Sequence, residues 1–360
     1  MSIKIKQYFE ELFNVISDSK SSVNSYKINK SSFTGVKVFD KSLYNSSFIP
    51  LKIRRSVEKD CKYTYNTELV IGIKQHKINV YIYSENPIIM IDEIFDYINV
   101  VLNMLYNYSS DMCVKNRTIH LIMLSIPKCK PRNREIISPI NVNSAVTTGC
   151  NLNNEIIIFR EEEWCKTLIH ELFHSLGLDF SLEYNKNHLK IMRETYNIKS
   201  KFLIFETYAE TMATLIYISL ISYNLSEIYN QNRENIIKEY IYYCLSILKE
   251  EQEFSLKQMK YILDYNNTTI KSILNMNIDN DYRENSNVFC YYILKTGLLM
   301  NIENTIEWLN MNNCNIFQFN NEKITDFIEL IERNMKLIQH IKLPKYVDIS
   351  TMRMVKNDIF

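Results

Sequence analysis

His170, Glu171 and His174 stand in the run His170-Glu171-Leu172-Phe173-His174, which has the pattern H-E-x-x-H. Residues i and i+4 share one face of a helix, so two imidazoles at this spacing can hold one tetrahedral zinc ion. The glutamate between them can then act as general base on a zinc-bound water. The chain has 6 histidines in 360 residues, so a pair four apart around a glutamate is far from an ordinary accident of composition. On a helical wheel, Trp164, Cys165, Leu168, Ile169, Leu172, Phe173 and Leu176 fill one half, and Lys166, Thr167, His170, Glu171 and His174 the other. The motif is therefore expected to point away from the core stripe, toward a cleft or solvent. Glu161, Glu162 and Glu163 suit the first turn of such a helix electrostatically, and Gly177 suits its C-terminal stop.

Zinc needs a third protein ligand. If the motif continued as H-E-x-x-H-x-x-G-x-x-H, Gly177 would fit, but the ligand position holds Phe180, which cannot bind metal; Asp179 is one residue off and stays an alternative ligand. Glu206-Thr207-Tyr208-Ala209-Glu210 places two carboxylates four apart on a strongly apolar helical segment. Burying them there is costly unless each meets a metal, an imidazole or a basic group. Glu183, His188 and Glu194 are weaker candidates in what reads as a connecting loop. His76, His120 and His340 are isolated and read as structural. Tyr184, Tyr196 and Tyr208 could stabilise an oxyanion, but with 25 tyrosines in the chain each reads as packing. Cys165 lies beside the motif but on the core stripe, so no catalytic use is expected of it.

The elements that must position these residues read as α+β. Met1 to about Ser17 is expected to be an amphipathic helix. Thr67–Ile73 and Ile78–Tyr83 form a hairpin across the polar Lys74-Gln75-His76-Lys77. Ile91–Tyr108 has helical periodicity, Thr118–Ile126 and Glu155–Phe159 are apolar strands, and Asn141–Thr148 is an extended segment closed by Gly149. Lys128 to Arg134 reads as a solvated basic loop. From Glu161 onward the pattern is helical: Glu161–Leu176, Phe202–Tyr223, Ile228–Glu251, Leu256–Tyr265, Asn287–Met300 and Ile324–Ile341. Three parts follow, with soft boundaries: an N-terminal helical or irregular segment (1–60), a core (61–225) and a helical C-terminal subdomain (226–360).

Composition removes several classes. Lys plus Arg is 42 and Asp plus Glu is 41, giving a net charge of +1, so no global field favours nucleic acid. With 5 glycines, a glycine-rich phosphate loop is not expected, and none is present in the sequence. The N-terminus has no apolar signal-peptide region, and the stretch around Ala213–Tyr223 is too short to span a bilayer. The eight cysteines form no C-x-x-C pair. They read as free buried thiols of a reduced, cytoplasmic protein. The abundance of Asn, Ile, Lys and Tyr reads as the codon bias of an AT-rich genome.

These residues resemble the zincin superfamily of metallopeptidases, in its gluzincin branch, where a glutamate on a second helix completes the zinc site. The resemblance makes Glu206 the expected third ligand of one zinc ion per chain. Glu210 would then orient a zinc-bound histidine; the reverse assignment, and pairing of both carboxylates with basic residues, stay open. Upstream, Asn141–Gly149 is similar to the edge strand with which such peptidases bind extended substrate, here Asn143, Ser144, Ala145 and Val146. The block Asn141–Ala213 looks like the metallopeptidase-like proteins of large nucleocytoplasmic DNA viruses. A zincin-like mixed sheet, an active-site helix and a mainly helical C-terminal part are what the resemblance implies. It also implies hydrolysis of peptide bonds in a protein or peptide substrate, with Glu171 as base. A non-catalytic virion or complex component that keeps the fold is the alternative, and a hydrolase of another amide is a third reading. Neither nucleic acid nor membrane is an expected partner, and a partner of the helical C-terminal part is left unnamed. The expected location is cytoplasmic: the host cytoplasm, or a virion if the chain is viral.

Overall fold

In the computed structural model the described residues are all except 1–2, 36–38, 40, 73–74, 110, 114–116, 134, 152–153, 230–232, 345–348, 350 and 359–360. Six strands form one sheet: β1 (Asn29–Ser32), β2 (Tyr63–Ile71), β3 (His76–Ser84), β4 (Arg117–Met123), β5 (Ala145–Thr147) and β6 (Asn154–Ile158). Their order is β1-β2-β3-β4-β6-β5. β2 and β3 are the expected hairpin, in register from Tyr63 opposite Ser84 to Ile71 opposite His76. The turn uses positive φ at Gly72 and Gln75; Lys74 lies outside the described residues, as does Arg134 of the basic run. β3, β4 and β6 run parallel, and β5 returns antiparallel to β6 as the outermost strand. Parallel neighbours need a crossover, and the Ile91–Tyr106 helix between β3 and β4 supplies one. The fold is thus α+β, with a mixed sheet followed by a helical C-terminal part, as expected.

By internal contacts the chain forms two compact units. Residues 14–128 and 143–178 make the first, which carries the sheet and the H-E-x-x-H helix, Trp164–Ser175. The Ile91–Tyr106 helix packs on β2 and the motif helix on β5 and β6. The two helices meet where Tyr97 donates its hydroxyl to the Cys165 carbonyl (3.2 Å) and sets its ring edge-on to Trp164. The opposite sheet face buries His120, whose Nε2 is 2.7 Å from Glu155 and whose Nδ1 is 2.9 Å from the Tyr83 hydroxyl. Burial pushes the His120 pKa down, against the pull of Glu155. This histidine is a partnered core residue, as its isolation in the sequence suggested.

Residues 1–13, 129–142 and 179–360 make the second unit. Its longest helix, Arg233–Tyr265, is continuous where the sequence suggested two. The polar stretch after Ile247 breaks nothing because its side chains bind the C-terminal segment. Glu251 accepts from the Lys356 and Asn357 amides, and Gln258 donates to the Arg353 carbonyl at 2.7 Å. Two further expectations are corrected. The segment around Glu183, His188 and Glu194 contains a helix, Lys186–Thr195, with Asn185 and His188 forming a capping box. The expected Asn287–Met300 helix is a π-helix, Phe289–Leu294, that passes into an α-helix, Lys295–Met300. Phe180, the residue that displaced a metal ligand from its sequence position, packs against Phe319, Phe327 and Tyr208 in an aromatic core. Among the described residues no helix is long and apolar enough to cross a membrane.

The cysteines depart from expectation. Cys113 and Cys150 form a disulfide that closes a separation of 37 residues, while Cys61, Cys165, Cys244 and Cys290 are buried thiols and Cys129 and Cys314 exposed ones. A pairing of this length leaves no spacing signature. The bond faces the end of the motif helix: a Cβ on Gly177 would lie 2.8 Å from the Cys113 sulfur. Gly177 also has a φ of 64°, closed to most residues with a side chain. It donates to the His174 carbonyl while Leu178 donates to that of Phe173, the paired bonds of a Schellman stop. The expected role of Gly177 therefore holds, with a second reason added to the first.

Replacing both Cys113 and Cys150 by serine lowers the unfolding free energy by about 2–4 kcal/mol, in line with the closure of a loop this long; urea unfolding of the variant against the oxidised protein measures it. Gly177→Ala costs about 2–4 kcal/mol, from the left-handed backbone and the overlap with sulfur together. The same titration checks it, and a loss under 0.5 kcal/mol would mean that the helix end relaxes freely.

Candidate metal centre

The motif helix starts later than the sequence implied. Its first residue is Trp164, so Glu161, Glu162 and Glu163 precede the first turn. They act as ties. Ser125 donates to Glu161, the Lys128 amide to Glu162 at 2.6 Å, and the Lys128 ammonium to Glu163 at 2.6 Å. Lys128 and Glu163 are both fully buried, which corrects the solvated reading of Lys128. Next to them, buried Arg160 donates to the carbonyls of Ile126, Pro127 and Asn143. The same guanidinium thus holds the start of the motif helix and the approach to β5.

At the other end, buried Arg117 donates through Nη2 to the Cys113 carbonyl (2.7 Å) and to the Ser175 carbonyl (2.9 Å). Ser175 is the last helical residue, so a cation sits where the helix dipole is negative. Ser109 donates to Leu176 at 2.9 Å. Both termini of the helix are bound to the sheet unit by charged or hydroxyl groups that only the fold brings near.

Between these anchors every residue from Trp164 to Ser175 is buried. The polar half of the helical wheel is therefore not a solvent face: His170, Glu171 and His174 are 7%, 8% and 8% exposed. The two rings stand edge to face, with their Nε2 atoms 3.0 Å apart. Two nitrogens on a tetrahedral zinc with bonds of about 2.05 Å lie roughly 3.3 Å apart, so the pair needs almost no movement to chelate. Glu171 lies between the two ligand positions in sequence and shares their burial.

Glu206 opens the Phe205–Tyr229 helix and is 9% exposed. His170, His174 and Glu206 are all buried and are the residues that could hold a metal ion. The donor set of two imidazoles and a carboxylate suits zinc among other divalent transition metals. Asp179 is outside this group; its Oδ1 accepts from the Ser181 hydroxyl and amide at 2.7 and 3.1 Å. Glu210, one turn beyond Glu206, is ion-paired with buried Lys295 at 3.5 Å. Tyr208 is held by packing and by hydrogen bonds to Phe317 and Asn313. Of the expected edge strand, Ala145 and Val146 lie on β5. Asn143 and Ser144 precede it, following a helical turn, Pro139–Val142, where the sequence suggested extended chain. The carbonyls of Asn143 and Ser144 accept from Arg160 and from the Phe159 amide.

Sequence reasoning did not find Arg117, Arg160 or Asn287. Asn287 donates to Glu206 Oε1 at 3.4 Å. Isolated basic or amide residues carry no motif, so their roles appear only once the chain is folded.

No protein-family model matches the chain. No solved structure matches it. It is similar to an uncharacterized protein of Acanthamoeba polyphaga mimivirus, at 27% identity over 197 residues, or 53% of this chain. The match spans 46% of the viral protein, so less than half of that protein's length has a counterpart here.

Proposed function

We propose that the chain is a zinc-dependent metallopeptidase of the zincin type, from a large DNA virus. The observation that carries this reading is the pair of buried imidazoles, Nε2 to Nε2 at 3.0 Å, with Glu171 in the turn between them. His170, His174 and Glu206 would hold one zinc ion; bound there, zinc would polarise a scissile carbonyl and acidify a water molecule. Glu171 takes the proton of that water and delivers it to the leaving amine. Glu210, anchored by Lys295, is the candidate to steady a ligating histidine. β5 is an antiparallel outer strand beside the motif helix, the place where an extended peptide could add by backbone pairing. That topology, together with the order sheet, motif helix, second glutamate helix, supports the gluzincin reading. The viral relative supports the source, and with it a host cytoplasm or virion. The substrate is a protein or peptide, with neither nucleic acid nor membrane as partner, and no partner is assigned to the helical C-terminal part.

Purified protein is expected to carry about one zinc per chain by elemental analysis. Glu171→Gln should keep that zinc and lose hydrolysis of a peptide library by 10²-fold or more. Undiminished turnover would remove Glu171 as base, and zinc without hydrolysis in either protein would favour a non-catalytic component. Glu206→Ala should weaken zinc binding strongly, leaving what the two imidazoles hold, while Asp179→Ala leaves it unchanged; the opposite result would move the third ligand to Asp179.

A further inference from the structure

The Asn287 side chain approaches Glu206 from a knot of hydrogen bonds that no feature of the H-E-x-x-H motif requires. Its Nδ2 lies 3.4 Å from Glu206 Oε1. Its backbone has a φ of 49°, a left-handed conformation that asparagine tolerates better than most residues.

The surrounding chain imposes that conformation. The buried Glu284 carboxylate accepts from the amides of Ser286 (3.2 Å), Val288 and Phe289 (3.0 Å), so the chain wraps around position 287. Glu284 is fixed in turn: its amide donates to the Ser200 hydroxyl at 2.9 Å, and its backbone forms a β-bridge with Ile137. Just downstream, the Asn287 carbonyl accepts from the amides of Cys290 and Tyr291 at 3.0 and 3.1 Å. The Cys290 thiol donates to the Leu203 carbonyl at 3.2 Å, immediately before the helix that Glu206 opens. One knot therefore holds both the amide donor and the start of the carboxylate's helix. The π-helix that leaves it, Phe289–Leu294, is a rare form that recurs at functional sites.

A carboxylate at the first turn of a helix can rotate about its side-chain bonds. An amide donor on one oxygen selects one rotation, as partners behind metal ligands commonly do. We propose that Asn287 is a positioning residue of the metal centre: it orients the Glu206 carboxylate for its place as third ligand. This rests on the metal reading given above.

The test is a double-mutant cycle read by zinc affinity, with zinc titrated against a chromophoric chelator. Asn287→Gly keeps the left-handed backbone and removes only the amide, so the melting temperature of the metal-free protein should hold. Zinc should bind about 10- to 100-fold more weakly. In a Glu206→Ala background the same substitution should change affinity by less than twofold, since the group it acts through is gone. Unchanged affinity in the single variant would overturn the inference, and so would an equal loss in both backgrounds. Absence of zinc binding by the unaltered protein would instead withdraw the metal reading itself, a result the cycle separates from the other two.

Discussion

Two buried imidazole nitrogens 3.0 Å apart restrict each other's chemistry. Two imidazolium ions at that distance would repel, and burial makes each charge costlier still. Two neutral rings can share the space in two ways. One ring turns an N–H toward the other's lone pair, or both lone pairs face a common cation. Which occurs is decided by the ring orientations, and these follow from the i, i+4 spacing and from how firmly the helix is held. A helix free to twist as a whole about its axis would keep the two rings together but aim them elsewhere. The rest of the sheet unit can be understood as the means of preventing that twist.

The means differ at the two ends. At the N-terminus the restraint is ionic: Lys128 with Glu163, and Arg160 across three carbonyls. A buried ion pair contributes little net stability, because desolvation offsets much of the attraction, yet removing either partner leaves an uncompensated charge. Such a pair is better at enforcing one arrangement than at stabilising the fold as a whole. At the C-terminus the restraint is steric and covalent. Gly177 permits the Schellman turn, the Cys113–Cys150 bond fills the space where a side chain would be, and Arg117 ties the Cys113 carbonyl to the Ser175 carbonyl. One end is set by charge and the other by shape.

The contrast between what was legible and what was not follows from the range of each interaction. The H-E-x-x-H spacing, the Gly177 stop and the β2–β3 hairpin are local, so each leaves a pattern within a few residues of sequence. Glu206 was legible as a carboxylate on an apolar helix, although its choice over Glu210 and Asp179 needed the resemblance. The disulfide spans 37 residues and the ties of Arg160 span up to 34, and nothing near either end marks the partner. Lys128 looked solvated because its neighbours are basic; its acidic partner lies 35 residues away. The wheel of the motif helix separated polar from apolar residues, but both halves are buried, so a polar half is not by itself a solvent face.

Backbone strain adds an independent indication of where the fold has accepted a cost. Positive φ in residues with a side chain is uncommon and persists when the surroundings over-determine it. Glu163, at 60°, and Asn287, at 49°, are two such positions. The first precedes the helix that carries both histidines, and the second meets the Glu206 carboxylate. Each is fixed by buried polar contacts: Glu163 by the Lys128 ammonium, Asn287 by the amides gathered on Glu284. A glycine at either place would relieve the backbone but forfeit the side chain that makes the contact. At Asn287 the group so met is a candidate ligand, and at Glu163 it is the ammonium that ties down the start of the helix carrying the other two.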